Sequence, residues 1–320
     1  MPEEFCNLMI SKEAQKRKKL IFQIMRLVVF INPAKLSLFQ IKLIRYLIFI
    51  FSFRRPKIKD VSWAKVSLKK LTLYKILPVK IIDKKIILFF HGGGFFLGNF
   101  GIYRNYVALL AKLTQREIYY VEYRLGPEFR FPCQLKDALT AYKYLLKERV
   151  KAQSVVLAGD SAGGNLALTL FLKIKKENLP GPNGIFVISP WTNPNLPTSE
   201  YSDDLCEKDA LIGSFIKRAK EKNSHPLSKY FVDDPSKENP LISPLYGDFT
   251  EAPPVNIQYS EDEVLSTQIK VFIKQLKKFN VLVVAKAWNG MWHDFQLETD
   301  LPETRKSFLG FKSFLDKNIV

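Results

Sequence analysis

Apolar and polar positions divide this chain into strands and helices from about residue 61 onward. Residues 61–68 alternate in a two-residue period and predict a strand, and residues 77–82 predict another. Ile86-Ile87-Leu88-Phe89-Phe90 is a continuous apolar run, opened by Lys84-Lys85 and closed by His91. Such a run fits a strand buried on both faces. Helical spacing follows over 103–113, then a strand over 117–121. A helix runs from Pro132, a residue suited to a first helical turn, to about 148. Residues 154–158 predict a strand and 165–173 a helix. The Leu179-Pro180-Gly181-Pro182 break precedes a strand over 184–188. Residues 193–240 carry no strand signal and only an uneven helical pattern near 210–220, so they predict an insertion over the sheet ends. The remainder predicts a strand over 255–259, a helix over 264–278, a strand over 281–285 and a terminal helix over about 303–317. Strands alternating with helices predict an α/β fold with a mainly parallel central sheet flanked by helices. Ligands then bind beyond the carboxyl ends of the strands.

The first sixty residues follow another pattern. Lys16-Arg17-Lys18-Lys19 precedes an apolar segment over 20–31, Asn32-Pro33 interrupts it, and 36–53 is again strongly apolar around Lys42 and Arg45. Arg26 breaks the first segment, no small-residue cleavage site follows, and the second lacks about eighteen uncharged residues in a row. Two helices are therefore expected, packed as a cap or lying on a bilayer surface, rather than a membrane span.

Composition narrows the function classes. The chain has 320 residues, 47% of them hydrophobic, enough for a large core and against disorder. Its three cysteines, Cys6, Cys133 and Cys206, are widely spaced and suggest no disulfide framework, which fits a reducing, cytoplasmic compartment. With three histidines and no His/Cys cluster, no metal site is expected. The net charge of +18 raises the question of nucleic acid, but the lysines are spread along the whole chain and no nucleic-acid motif accompanies them. No nucleic-acid partner is expected. Basic and apolar residues coincide near the N-terminus, which leaves peripheral contact with anionic lipid open.

The candidate chemistry begins at Gly159-Asp160-Ser161-Ala162-Gly163, between a strand and a helix. A serine between two glycines at such a junction is a nucleophile elbow: the turn is too sharp for large side chains and lifts the hydroxyl into the open, clear of the sheet. The helix that follows points its N-terminus at developing negative charge. Upstream, His91-Gly92-Gly93-Gly94 leaves a buried strand, and its glycines let backbone N–H groups approach a substrate oxygen. The N–H groups of Gly92, Gly93 and Ala162 are the candidate oxyanion hole. No GKS or GKT follows, so it is not a phosphate loop. A serine nucleophile needs a base. Of His91, His225 and His293, only His293 follows the last strand and satisfies the order nucleophile, acid, histidine. His91 is read as organising its loop. The acid must lie at the end of the penultimate strand, where Glu261, Asp262 and Glu263 are adjacent. Spacing ranks Glu263 only narrowly above Asp262, and the remaining acids would cap the next helix.

Taken together, these segments resemble the hormone-sensitive-lipase-like branch of the α/β-hydrolases, which includes bacterial esterases and arylacetamide deacetylase-like enzymes. The resemblance is carried by His91-Gly92-Gly93-Gly94-Phe95, Tyr123-Arg124-Leu125-Gly126-Pro127-Glu128, Gly159-Asp160-Ser161-Ala162-Gly163-Gly164-Asn165, Ser189-Pro190-Trp191 and Met291-Trp292-His293-Asp294-Phe295. It implies an α/β-hydrolase catalytic domain over 60–320 and a helical cap from 1–59 and 195–240. It also implies a serine carboxylesterase that works through an acyl-enzyme without a cofactor. Its short Asp/Glu-x-Leu segment falls on Glu263-Val264-Leu265 and favours Glu263 as the acid. Asp160 and the 123–128 segment are implied to support the elbow and the oxyanion loop. Two departures stand out: Gly126 where alanine is usual, and Ser266-Thr267-Gln268 where acidic residues are frequent. The expected substrate is a small-molecule ester with an apolar acyl or aryl group, and a homodimer is expected as a further partner. Amide or lipid-ester hydrolysis would use the same groups. A non-catalytic binding protein on this fold would ordinarily lack one of them.

Overall fold

The computed structural model describes residues 10–28, 36–52, 57–222, 230–232 and 238–319. Both expected cap ranges extend outside these residues; Cys6, the Asn32-Pro33 break and His225 lie there. Strands β1 (Val61–Leu68), β2 (Leu71–Pro78), β3 (Ile86–Phe90), β4 (Glu117–Glu122), β5 (Val155–Asp160), β6 (Gly184–Ile188), β7 (Val255–Ser260) and β8 (Val283–Trp288) form one sheet in the order β1-β2-β4-β3-β5-β6-β7-β8. Only β1–β2 and β2–β4 pair antiparallel; the rest is parallel.

Alternation along the central strands builds two cores. Leu88, Phe90, Leu157, Val187 and Ile257 face α4 (Cys133–Lys147), α5 (Ser161–Lys176) and α8 (Ser266–Lys278). Ile87, Phe89, Val156, Ala158 and Phe186 face α3 (Phe100–Thr114) and α9 (Pro302–Asn318). Each of the larger of these side chains, Ala158 apart, contributes about 1.5–3 kcal/mol on burial. The parallel strands all point their carboxyl ends to one edge, where the loops after β3, β5, β7 and β8 meet.

Two expectations for strands change. The strand expected at 77–82 is β2, which begins at Leu71 and ends at Pro78. A two-residue turn, Lys69-Lys70, pairs Leu68 with Leu71 and fixes β2 against β1. Beyond it, Val79, Ile81 and Ile82 are apolar yet exposed, because the chain has left the sheet. The last strand runs three residues past 285, since β8 pairs with β7 from Val255↔Val283 to Ser260↔Trp288. As an edge strand it is only half-buried, so its apolar signal is weak. Helix α5 starts at Ser161, not near 165. Its first turn holds Gly163 and Gly164, poor helix formers that hide the start in sequence. A Cβ on Gly163 would sit 2.0 Å from the Phe90 carbonyl oxygen, so only glycine lets α5 close on β3.

Four further helices cover the carboxyl edge. Helix α1 (Lys12–Val28) packs Ala14, Ile21 and Phe22, with Ile10 just before it, against Met291, Trp292 and Phe295. Helix α2 (Leu38–Ser52) buries Ile41 against Phe96 and Tyr230. The insertion carries α7 (Gly213–Glu221), where the uneven pattern near 210–220 was expected, and before it the short α6 (Asp203–Lys208), which was not expected. No helix among the described residues is long and apolar enough to cross a membrane.

Candidate active site

Ser161 stands at the junction of β5 and α5 with φ at 51°, the strained conformation of an elbow. The residue is only 8% exposed, so the hydroxyl is not in the open where the sequence placed it. Its Oγ lies 2.9 Å from Nε2 of His293, in the loop after β8. Ala162 follows in the first turn of α5, where N–H groups have no intrahelical acceptor.

The oxyanion loop differs from expectation at Gly92. The Gly92 N–H donates to Asp160 Oδ1 (3.1 Å) and the Tyr103 hydroxyl (3.0 Å), so it is engaged beneath the loop. The N–H groups of Gly93 and Gly94 have no partner among the described residues, and both glycines have positive φ, 105° and 62°. The elbow's own Asp160 thus holds the first of the two amides expected there, and the next two, of Gly93 and Gly94, are the unengaged ones among the described residues. His91 is buried, donates from Nδ1 to the Gly92 carbonyl (2.7 Å), and stacks on Tyr123 at 4.2 Å. Burial lowers its pKa to about 4, so it is neutral and scaffolds the loop. The Tyr123 hydroxyl donates to the His91 carbonyl, and the Gly126 N–H to the Phe95 carbonyl. A Cβ on Gly126 would lie 2.0 Å from the Tyr230 carbonyl oxygen, which accounts for glycine in place of alanine: the insertion approaches the loop here. From the other side, Arg45 of α2 donates to the carbonyls of Phe96 and Gly126 and pairs with Glu128.

The two candidate acids part company. Glu263 is fully buried, with Oε1 at 3.6 Å from His293 Nδ1. Its Oε2 accepts from the Ser189 hydroxyl (2.6 Å) and the Ser260 N–H (3.1 Å). Asp262 faces Lys18 of α1 at 3.8 Å instead. Lys18 also donates to the Gly290 and Met291 carbonyls, tying α1 to the histidine loop. At Gln268, Oε1 accepts the N–H of Asn193 (2.8 Å) and the hydroxyl of Thr192 (3.2 Å), so the departure from acidic residues there serves the start of the insertion. Asn165 similarly donates to the Trp191 and Ile242 carbonyls.

Sequence reasoning missed three groups. Ser189 holds the carboxylate of Glu263, one of the candidate acids, and was legible only as part of Ser-Pro-Trp. Asp209, in the insertion, is buried beside both loops and had no motif. Asp294 lies with Oδ2 3.2 Å from His293 Nε2, the nitrogen that also faces Ser161. It hydrogen-bonds Asp160; burial, then the Asp294 charge, raises Asp160 well above the carboxylate range. Among the described residues no group of three or more His, Cys, Asp or Glu side chains is arranged to hold a metal ion.

His293 is faced by Glu263 from the loop after β7, Asp209 from the insertion, Asp160 from β5 and its neighbour Asp294. Burial alone lowers the imidazole, but Asp294, and then Glu263, more than offset it and hold the pKa well above 6.5. A base must be neutral to accept a proton, so the raised pKa moves the acid limb of the rate profile to higher pH. Asp294→Asn removes the largest raising influence. The acid limb of kcat/KM is expected to fall by about one pH unit. An unmoved limb would show that Asp294 does not act on His293.

A model of the α/β-hydrolase-fold family matches residues 87–297. The chain is 32% identical over 231 residues to an esterase of Acinetobacter venetianus, covering 72% of this chain and 74% of that one. It is 28% identical over 234 residues to an acetyl-hydrolase of Streptomyces hygroscopicus, covering 73% and 76%. Among solved structures, an esterase of the bacterial hormone-sensitive lipase family superposes with a TM-score of 0.83 at 22% identity, covering 98% and 100%. The hormone-sensitive-lipase homologue EstE7, from a metagenome library, superposes with a TM-score of 0.81 at 25% identity, covering 98% and 100%.

Proposed function

Since the chain belongs to the hormone-sensitive-lipase-like esterases of the α/β-hydrolase family and is a carboxylesterase-type hydrolase, we propose that Ser161, His293 and Glu263 are its catalytic triad. The observation that carries this reading is the 2.9 Å approach of His293 Nε2 to Ser161 Oγ at the head of α5. His293 takes the serine proton as Ser161 attacks the ester carbonyl, and the protonated imidazole then releases the alcohol. Water cleaves the acyl-enzyme by the reverse proton path. Charge on the carbonyl oxygen collects at the N–H groups of Ala162, Gly93 and Gly94. Gly94 replaces Gly92 in this reading because the Gly92 N–H is held by Asp160 and Tyr103.

Residues 60–320 make the catalytic domain, and 1–59 with 195–240 the cap. The seating of Arg45 on the oxyanion loop and of Lys18 on the histidine loop supports that division. The aromatic packing of Phe95 on Phe231 and of Phe96 on Tyr230, beside the glycine loop, supports apolar acyl or aryl esters. The free thiols of Cys133 and Cys206 fit a cytoplasmic location.

Helix α2 supports a peripheral membrane contact as well. Its inner face holds Ile41 and Arg45, while Leu38, Phe39, Leu43, Tyr46, Leu47 and Ile50 remain exposed, Phe39 at 75% and Tyr46 at 61%. A helix apolar on its outer face too, on a chain of net charge +18, suits an anionic lipid surface better than a second copy of like charge. Turnover of aryl esters of graded acyl length, with and without anionic vesicles, tests both readings. Ester turnover with the enzyme sedimenting in the vesicle pellet is the expected result. Amide but not ester turnover would overturn the substrate class. Self-association without vesicle binding would assign the α2 face to a homodimer.

A further inference from the structure

Asp209 lies between α6 and α7, within the insertion, and is fully buried. Backbone N–H groups surround its carboxylate. Oδ1 accepts from Leu211 (3.0 Å) and Ile212 (3.3 Å), the local contacts that hold its own turn. The remaining contacts reach far along the chain. Oδ2 accepts the N–H of Val264 at 3.0 Å, and Oδ1 that of His293 at 3.3 Å. Val264 directly follows Glu263. One side chain from the insertion therefore grips the main chain of the acid loop and of the base loop together.

The adjacent packing continues the same link. Ala210 and Leu211 pack with Met291 and Trp292, the two residues before His293. The turn cannot slide freely, since a Cβ on Gly213 would lie 2.1 Å from the Cys206 carbonyl oxygen. What the grip controls is visible between the loops. Glu263 Oε1 and His293 Nδ1 stand 3.6 Å apart, and neither atom has a hydrogen-bond partner among the described residues. That separation exceeds a good N–H···O bond by about half an ångström, and hydrogen bonds of this kind often tighten only when substrate is bound.

We propose that Asp209 is a positioning residue which sets the Glu263–His293 separation by tying both loops to the insertion. The seating of the insertion over a bound ester is thereby transmitted to the triad. Asp209 touches no reacting atom; it acts through the other two residues. The inference rests on the assignment of Glu263 and His293 made above.

A double-mutant cycle tests it, using Asp209→Asn, Glu263→Gln and the pair, with kcat and KM measured on an aryl ester and folding checked by thermal melting. Asparagine keeps the size of the side chain and one acceptor oxygen, so the turn survives while the two-loop grip is halved. Asp209→Asn is expected to lower kcat about tenfold or more with little change in KM, as misplacement of a catalytic group does. In the Glu263→Gln background the same change is expected to cost less than about twofold, because the separation it controls no longer matters. Equal losses in both backgrounds, or no loss in the first, would overturn the role of Asp209. Full activity in Glu263→Gln alone would instead overturn the assignment of the acid, and this inference with it. Should Asp209→Asn melt early, Asp209→Glu, which retains both oxygens at a shifted reach, carries the same cycle and the same outcomes.

Discussion

Ser161→Ala is expected to lower kcat on aryl esters by about a million-fold, the scale found when a serine nucleophile is removed from an intact triad. The effect is large because nothing else at the site can form the acyl-enzyme. His293 Nε2 faces Ser161 Oγ at 2.9 Å, and its other close neighbour on that nitrogen is Asp294, a carboxylate made weaker as a nucleophile by its partnership with Asp160. The fold should be unaffected. Alanine fills no more space than serine, and the turn is enforced by contacts of Gly159 and Gly163 with the surrounding backbone, not by the hydroxyl. The measurement is steady-state turnover together with the pre-steady-state burst of released phenol. Comparable turnover by the variant and the parent enzyme would remove the acyl-enzyme mechanism altogether.

Glu263→Gln carries the second largest effect, a fall in kcat of roughly ten-thousand-fold, against less than about threefold for Asp262→Asn. The carboxylate of Glu263 is fully buried, and its Oε2 is held by the Ser189 hydroxyl and the Ser260 N–H. That leaves Oε1, 3.6 Å from Nδ1, as the acceptor that in the proposed triad would close on the Nδ1 proton, fix the tautomer with a free Nε2 lone pair and stabilise the imidazolium. An amide keeps the shape and loses both functions. It can also present its NH₂ to Nδ1 and select the wrong tautomer. Asp262 lies partly exposed toward Lys18, where its loss removes a screened ion pair at 3.8 Å. Kinetics of the two variants side by side distinguish the acids, and a loss confined to Asp262→Asn would reverse the assignment.

The elements that sequence made legible share one property: their signal is local. Ile86–Phe90 and Gly184–Ile188 were readable to the residue because a strand buried on both faces must be apolar throughout. Ser161 was readable because the elbow needs small residues on both sides of it. His293 was readable because chain order and the end of the last strand left one histidine in place. Where signals were non-local, reading faltered. Val79, Ile81 and Ile82 have strand-like side chains but lie outside the ladder, where the Val79 and Ile82 N–H groups meet the Asp60 and Gln115 carbonyls one at a time. The apolar weight of β8 was diluted by its place at the sheet edge. Gly92 reads in sequence like Gly93, and only the approach of Asp160 and Tyr103 from elsewhere in the chain takes its N–H away.

By itself the sequence determined the alternation of strands and helices, the elbow, the glycine loop, the late histidine and an acidic cluster between them, all features written in a few adjacent residues. Tertiary structure decided which of those residues face one another. It turned Glu263 toward His293 and Asp262 toward Lys18, although they are neighbours in the chain, because successive residues leaving a strand point in different directions. It brought Asp294 beside the base, moved the free amides to Gly93 and Gly94, and set Asp209 between two loops more than fifty residues away from it. Those choices depend on distances between segments far apart in the chain, and such distances exist only once the sheet has aligned the carboxyl ends of its strands.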